Sequence, residues 1–237
     1  MISIRSFLLL FCTFIPFIRA AEELETGSIK FADIEAHYQL YDVPGTDVPV
    51  VVFLHGAKYT SKNWVDLGTL KLLQSNGFRT AAIDLPGYGK TRKLPYLDNN
   101  MRAEFLKTVF EFLGRGSNLT SIGAALVSPS MSGKWAIPFL DRYGVMLKGW
   151  VPVAPVGVMQ WGGPWEYTHK RVQLLAVYGE QDEMKEEADD LLKLFSTSNK
   201  VIIPDAGHAC YMEKTEAFHL HLKTFIGKAL AGGKREL

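Results

Sequence analysis

The 237-residue sequence lacks the features that mark several functional classes. Its 26 basic and 25 acidic residues leave a net charge of only +1, so no nucleic-acid-binding surface is predicted. No internal repeat or low-complexity tract is present, and no group of Cys and His residues has the spacing of metal ligands. Apolar residues nevertheless make up 47% of the chain, which is enough for a sizeable core.

Cysteine is also scarce, because Cys12 and Cys210 are the only two. Cys12 lies in an N-terminal segment that has a short basic start, an apolar run over residues 7–18, and then small and acidic residues. This order is typical of a signal peptide, and the run is shorter than the roughly 20 residues that span a membrane. We predict that residues 1–20 are a signal peptide, or alternatively an uncleaved signal-anchor. Cleavage would leave Cys210 alone, so no intramolecular disulfide is expected.

Two further signals favour the secretory pathway. Asn118 begins an Asn-Leu-Thr sequence, which is an N-glycosylation site in a luminal protein. Residues 234–237 read Lys-Arg-Glu-Leu and differ by one residue from the retrieval signal of the endoplasmic reticulum. The predicted location is the lumen of the endoplasmic reticulum or the cell exterior, and membrane association is expected only if the N-terminal segment is retained.

Residues 21–233 alternate between strand and helix patterns. The strands are predicted at Ser28–Phe31, Ile34–Tyr41, Pro49–Leu54, Thr80–Ile83, Ile122–Val127, Gly149–Val153, Leu174–Tyr178 and Lys200–Ile203. The helices are predicted at Trp64–Ser75, Met101–Leu113, Ser132–Tyr143, Lys185–Phe195 and Lys214–Leu230. This alternation predicts an α/β fold, a mostly parallel sheet with helices on both faces. Residues 154–172 lack a clear period and are predicted to form a minimal lid, in which Trp161 and Trp165 are the candidate substrate-binding residues.

A serine-rich loop follows the strand predicted at 122–127 and leads into a helix. This order is that of a nucleophile elbow, where a serine occupies a strained turn between small residues two positions away on either side. Ser130 has Ser128 and Ser132 at those positions, whereas each of these two has one bulky residue there. The usual pattern has glycines, so a serine-rich helix cap is the alternative for this motif alone.

An acid and a base follow later strands. Gly-Glu-Gln-Asp ends at Asp182, and Pro-Asp-Ala-Gly-His ends at His208. Hydrolases of this architecture supply serine, acid and histidine in this order, at the carboxyl ends of strands. We therefore predict that Ser130, Asp182 and His208 form a catalytic triad. The other carboxylates near these positions are Glu180, Glu183 and Asp205, of which the last lies too close to the histidine in sequence to face its ring.

His55-Gly56-Ala57 directly follows the predicted strand Pro49–Leu54. A His-Gly turn at this point directs the next backbone N–H at a developing oxyanion. The predicted oxyanion donors are therefore the backbone N–H groups of Ala57 and Met131, while the ring of His55 braces the loop. The later segment 84–91 ends in Gly-Lys-Thr but begins with Asp where a phosphate-binding loop needs Gly, so nucleotide binding is not predicted.

Several stretches match the pattern of one family and cover most of residues 48–230. They are residues 51–57, 67–70, 82–87, 127–133, 138–140, 151–155 and 206–211. They resemble the α/β-hydrolase superfamily, and within it the α/β-hydrolase domain-containing protein 14 group, whose specific mark is the Ser-Pro-Ser-x-Ser-Gly elbow. The resemblance implies the α/β-hydrolase fold, the same triad, hydrolysis of small acyl esters and, for one branch, acetyl transfer from lysine to coenzyme A. The N-terminal segment places this chain nearer to the membrane-anchored form of the family than to the cytosolic or nuclear form.

Taken together, the residues and the resemblance predict a serine hydrolase of small acyl esters or acyl-amides. No resident cofactor is expected, and coenzyme A enters only as the acceptor in the acyl-transfer version. A non-catalytic binding protein on the same fold is the alternative, because a fold alone does not imply a function. The expected partner is a small acyl compound, and the sequence leaves the oligomeric state open.

Overall fold

The computed structural model describes residues 23–92, 97–158, 160–161 and 171–231. The strands in these ranges are β1 (Glu25–Phe31), β2 (Ile34–Tyr41), β3 (Val50–Phe53), β4 (Arg79–Ile83), β5 (Ala124–Pro129), β6 (Gly149–Val153), β7 (Gln173–Gly179) and β8 (Ser198–Ile203). The α-helices are α1 (Ser61–Asp66), α2 (Thr69–Gln74), α3 (Asn99–Gly114), α4 (Leu119–Ile122), α5 (Gly133–Tyr143), α6 (Ala188–Lys193), α7 (Cys210–Glu213) and α8 (Thr215–Ala231). The predicted signal peptide, the 234–237 tail and Trp165 lie outside the described residues.

The described strands form a single eight-stranded sheet in the order β1-β2-β4-β3-β5-β6-β7-β8. β2 pairs antiparallel with both β1 and β4, and the pairs from β4 through β8 are parallel. This arrangement confirms the predicted mostly parallel α/β sheet. Because parallel strands end at the same edge, the loops after β3, β5, β7 and β8 emerge together there.

Two apolar cores, one on each face of the sheet, explain the apolar strand sequences. Along β3, Val50 and Val52 pack into one core while Val51 and Phe53 pack into the other, and all four are fully buried. Side chains of successive strand residues point to opposite faces, so a strand covered on both faces needs a continuous apolar run. The cores therefore confirm the predicted helices on both faces.

The predicted helix at 64–75 is in fact two helices, α1 and α2. Gly68 lies between them at a φ of +71°, a left-handed conformation that interrupts the helix. Helix α1 also starts earlier than predicted, since Thr60 and Asn63 form a reciprocal capping box at its start. The apolar spacing of this segment thus continues from α1 into α2, although the helix is interrupted at Gly68.

The strand predicted from residue 122 begins two residues later, because the preceding residues form the short helix α4. Asn118 caps this helix, and its side-chain oxygen accepts hydrogen bonds from the backbone N–H and the hydroxyl of Thr120 at 3.0 and 2.6 Å. The Asn118 side chain is on the surface. Among the helices that the structure describes, none combines the length and apolar character needed to cross a membrane.

The 84–91 turn is an internal clamp. The buried Asp84 carboxylate accepts hydrogen bonds from the backbone N–H groups of Ser61 at 2.7 Å and Lys90 at 2.8 Å. A Cβ on Gly89 would lie 2.1 Å from this carboxylate, so only glycine fits there. Asp84 is the residue that stands where a phosphate-binding loop needs glycine. Its role in this structure is to hold the start of α1 against the 84–91 turn.

Candidate active site

The turn after β5 has the geometry of a nucleophile elbow. Ser130 follows the last residue of the strand and has a φ of +50°, which is uncommon for a residue other than glycine. A one-turn 3-10 helix over Ser130–Ser132 then leads into α5. The carbonyl of Ser130 accepts a hydrogen bond from the Val156 N–H at 2.9 Å, which ties the strained turn to the loop after β6.

The three serines of this loop have different surroundings. The Ser128 hydroxyl oxygen accepts a hydrogen bond from the Trp150 indole N–H at 2.8 Å, and the Ser132 hydroxyl donates to the Pro129 carbonyl at 2.7 Å. Both of these serines are fully buried, whereas Ser130 lines an open cleft. The structure therefore leaves Ser130 as the serine of this loop that can meet a substrate in the cleft.

Ser130, His208 and Asp182 form a continuous hydrogen-bonded series. The Ser130 Oγ lies 2.8 Å from His208 Nε2, and His208 Nδ1 lies 2.9 Å from Asp182 Oδ2. The Asp182 side chain is only 4% exposed, while that of His208 is 46% exposed. A neutral ring that donates from Nδ1 to the buried carboxylate has Nε2 free to accept the serine proton. The structure thus brings together the three residues predicted from sequence.

The competing carboxylates have other positions. Glu180 accepts a hydrogen bond from the backbone N–H of Asp205 at 3.0 Å, so it contacts the loop that carries the histidine rather than the ring. Asp205 is exposed and has a φ of +51°. Glu183 is exposed at the start of a 3-10 turn. Asp182 is therefore the only one of these four carboxylates within hydrogen-bonding distance of the His208 ring in the described structure.

A second acidic anchor of the histidine loop was not predicted from sequence. Glu213, in α7, accepts a hydrogen bond from the Gly207 N–H at 2.8 Å, directly before His208. The Ala206 carbonyl accepts a further bond from the Gln181 N–H at 2.9 Å. Glu213 comes soon after the histidine in sequence, but nothing in the sequence indicates that the chain folds back on itself there.

The predicted oxyanion donors lie on the two sides of Ser130. A Cβ on Gly56 would be only 3.7 Å from the Ser130 Cβ, so the turn containing Ala57 directly adjoins the elbow. Ala57 lines the same cleft as Ser130, and Met131 is the next residue along the chain. Among the turn and loop hydrogen bonds of the described residues, neither backbone N–H is a donor, which fits the predicted role of binding an incoming oxygen atom.

The ring of His55 braces this turn, as predicted. It is fully buried, its Nδ1 lies 2.9 Å from the Gly56 carbonyl oxygen, and its Nε2 accepts the Leu85 N–H at 3.0 Å. One ring nitrogen donates and the other accepts, so the ring is neutral. Burial accordingly lowers the pKa of His55 below its ordinary value.

The cleft over Ser130 has a volume of about 350 Å³. Its described lining consists of Gly56, Ala57, Lys58, Tyr59, Ser130, His208, Ala209, Tyr211 and Glu213. Trp161 is not among these residues and lines a neighbouring cavity instead.

Within the described ranges, no three His, Cys, Asp or Glu residues are grouped as metal ligands would be. Burial raises the pKa of the Cys210 thiol to about 12, so this cysteine is uncharged and is not an activated nucleophile.

Comparison with known proteins shows the family of this chain. Residues 49–127 match the family described as alpha/beta hydrolase fold. Protein ABHD14A of Danio rerio is 40% identical over 181 residues, which cover 75% of this chain and 64% of that protein, just under two thirds of its length. The protein named putative protein-lysine deacylase ABHD14B of Homo sapiens is 35% identical over 179 residues, which cover 74% of this chain and 82% of that protein.

Solved structures of low sequence identity share the fold. A predicted CIB-like hydrolase from Thermoplasma acidophilum superposes with a TM-score of 0.73 at 21% identity, covering 86% of this chain and 98% of that one. Carboxylesterase CesB from Bacillus subtilis superposes with a TM-score of 0.67 at 18% identity, covering 86% and 92%. From its sequence relatives and its fold, the chain belongs to the α/β-hydrolase superfamily, in the group that contains ABHD14A and ABHD14B.

Proposed function

We propose that this protein is a serine hydrolase that cleaves small acyl esters or acyl-amides. The main support is the hydrogen-bonded series of Asp182, His208 and Ser130, whose serine lies on a strained elbow at an open cleft. A serine hydroxyl is a weak nucleophile until a base accepts its proton, and the base needs an orienting partner. Both requirements are met here within hydrogen-bonding distance.

In the proposed mechanism, Ser130 Oγ attacks the acyl carbonyl while its proton passes to His208 Nε2. Asp182 stabilises the resulting imidazolium, and the N–H groups of Ala57 and Met131 bind the oxyanion; one such donor is typically worth about 10²–10³ in turnover. His208 then protonates the leaving alcohol or amine, and the acyl group stays on the serine. Water attacks this acyl-enzyme and gives its proton to His208, which releases the acid and returns the proton to Ser130.

The substrate class follows from the size of the cleft and from the relatives. A volume of about 350 Å³ suits a small acyl group, and Tyr59 and Tyr211 supply aromatic walls. The ABHD14B relatives are named putative protein-lysine deacylases, which favours acyl-lysine among the acyl-amides. In the acyl-transfer version, the thiol of coenzyme A replaces water as the attacking group and leaves as a thioester. Coenzyme A is then a co-substrate and not a resident cofactor.

Covalent labelling with a fluorophosphonate tests the proposal. Wild type and Ser132→Ala are expected to be labelled, because the Ser132 hydroxyl is buried and donates to the Pro129 carbonyl within the elbow. Ser130→Ala is expected to lose both label and ester turnover while its thermal unfolding stays cooperative. Label retained in Ser130→Ala, or no label on folded wild type, would contradict the proposal and favour the binding-protein alternative.

We also propose that the protein enters the secretory pathway. The exposed position of Asn118 at the start of α4 supports this, because an acceptor asparagine must be accessible. Treatment with a glycosidase should shift the mobility of the wild-type protein from cells and leave Asn118→Gln unchanged. An unmodified wild-type protein would contradict luminal exposure of this site.

A further inference from the structure

A second cavity, of about 410 Å³, lies beside the elbow. Its described lining includes Asn99, Arg102, Lys134, Val156 and Trp161. Val156 belongs to this wall and also donates its N–H to the Ser130 carbonyl at 2.9 Å. Lys134 stands one turn after Ser130, at the start of α5. The cavity therefore adjoins the catalytic loop at the same edge of the sheet.

The described lining residues of this cavity carry charge of one sign. Arg102 and Lys134 are on its wall, and no carboxylate is found among the described lining residues. Neither cation forms an ion pair with a carboxylate in the described ranges. Asn99 contacts Arg102 only through a neutral hydrogen bond of 3.3 Å from Nη1, and the guanidinium lies 5.8 Å from the ring centroid of Trp135. Both positive charges therefore lack a counter-charge from the described chain.

Two buried donors on the same wall also lack acceptors. The Nε–H of Arg102 and the indole Nε1–H of Trp161 are inaccessible to solvent and donate no hydrogen bond within the described structure. Buried N–H groups are nearly always paired, because leaving one unpaired is costly. Both groups only donate, so the group complementary to them is an acceptor. Because Arg102 and Lys134 also carry unpaired positive charges here, an anionic oxygen is the most favourable acceptor.

We propose that this cavity is a subsite for an anionic group, a carboxylate or a phosphate, carried by the substrate of the Ser130 site. The inference rests on the proposed hydrolase function, because it assigns the group to that substrate. Arg102 and Trp161 bind the anionic oxygens by hydrogen bonds once their side chains turn these shielded N–H groups into the cavity. Lys134 adds a positive charge at the more exposed side. The substrate is then an acyl compound with a negative end, not a plain alkyl ester.

Kinetics with matched esters test this inference. Esters of equal length that end in methyl, carboxylate or phosphate, with the end group on the acyl or the alcohol side, are compared by kcat/KM. Wild type is expected to prefer an anionic ester by about tenfold or more, the effect of one charge-assisted hydrogen bond. The anion that gives the larger preference identifies the natural group. Equal kcat/KM for all end groups would overturn the inference.

Variants locate the preference in the cavity. Arg102→Met, Lys134→Met and Trp161→Phe are each expected to lower the ratio of anionic to neutral kcat/KM. Arg142→Met, which removes a cation from α5 outside the cavity lining, is expected to keep the wild-type ratio. Lys134 is exposed, so Lys134→Met is expected to fold even if Arg102→Met does not, and it then serves as the test variant. A wild-type ratio in the folded cavity variants would refute the subsite.

Binding to the Ser130→Ala protein separates this inference from the hydrolase proposal. Tryptophan fluorescence is used to compare the dissociation constants of the anionic and neutral esters, without any turnover. The subsite is supported if Ser130→Ala binds the anionic ester more tightly than the neutral one and loses this preference when Arg102→Met or Lys134→Met is added. This outcome supports the subsite even if wild type hydrolyses no ester. Equal binding of the two esters refutes the subsite, even if the hydrolase proposal holds.

Discussion

Replacing Gly133 by alanine is a steric test of the elbow. Gly133 has a φ of −53° and a ψ of −37°, an ordinary helical conformation that alanine adopts without strain. Its added Cβ would nevertheless lie 2.4 Å from the Val156 carbonyl oxygen and 3.1 Å from the Pro155 Cβ. An unforced C···O contact is about 3.3–3.6 Å. The loop after β6 and the elbow must therefore separate by about 1 Å.

The cost of this separation has two parts. Overpacking a well-packed site typically costs about 1–3 kcal/mol. Weakening the hydrogen bond between the Val156 N–H and the Ser130 carbonyl adds about 0.5–1.5 kcal/mol. For a chain of this size each kcal/mol lowers Tm by about 2–4 °C, so we expect Tm to fall by about 3–18 °C. A displacement of Ser130 by about 1 Å is expected to slow turnover about 10²-fold.

Thermal unfolding and the rate of fluorophosphonate labelling measure these two effects. Gly227→Ala is the matched control, because a Cβ there meets no atom within 4 Å. Gly227 lies inside α8, where alanine in place of glycine is expected to stabilise the protein by about 0.5–1 kcal/mol. If Gly133→Ala unfolds at the wild-type temperature and labels at the wild-type rate, the close packing of the elbow against Val156 is wrong.

Three further predictions concern the triad, its supports and pH. Asp182→Asn is expected to keep the fold but lower ester turnover by roughly 10⁴, since an amide does not hold the required tautomer of His208; near-normal turnover would rule out its orienting role. Glu213→Ala releases the loop before His208 and is expected to lower kcat by up to about 10²-fold with KM little changed, whereas Glu213→Gln, which still accepts the hydrogen bond, should retain most activity; equal loss in both variants would contradict this account. Burial lowers the pKa of His55 and of His219 below their ordinary 6.5, so the unfolded chain binds protons that the folded protein does not. The free energy of unfolding, measured by urea titration, is therefore expected to be constant between about pH 7 and 8 and to fall as the pH drops below 6.5, with a smaller fall in His219→Gln; a flat profile down to pH 5 would refute it.

Local chemistry was enough to predict most of the fold. The apolar run of β3 predicted a strand covered on both faces, and the alternation of strands and helices predicted the parallel sheet. The errors occur where a local break interrupts a continuous pattern. At Gly68 the backbone turns left-handed between α1 and α2, although the apolar spacing continues, and before β5 the cap at Asn118 starts a short helix in place of strand. Periodicity reports which side chains are buried and does not report where the backbone changes direction.

At the site, the sequence by itself determined the candidate residues and their order. Ser130, Asp182 and His208 each follow a predicted strand, and small neighbours distinguished Ser130 from the other two serines. Only the tertiary structure decided which carboxylate orients the histidine, since Glu180, Glu183 and Asp182 are close together in sequence. The reason is that these contacts join residues 26 and 78 positions apart. They form only when β5, β7 and β8 end at one edge of the sheet, and the same packing places Glu213 under the histidine loop and Trp161 in a separate cavity.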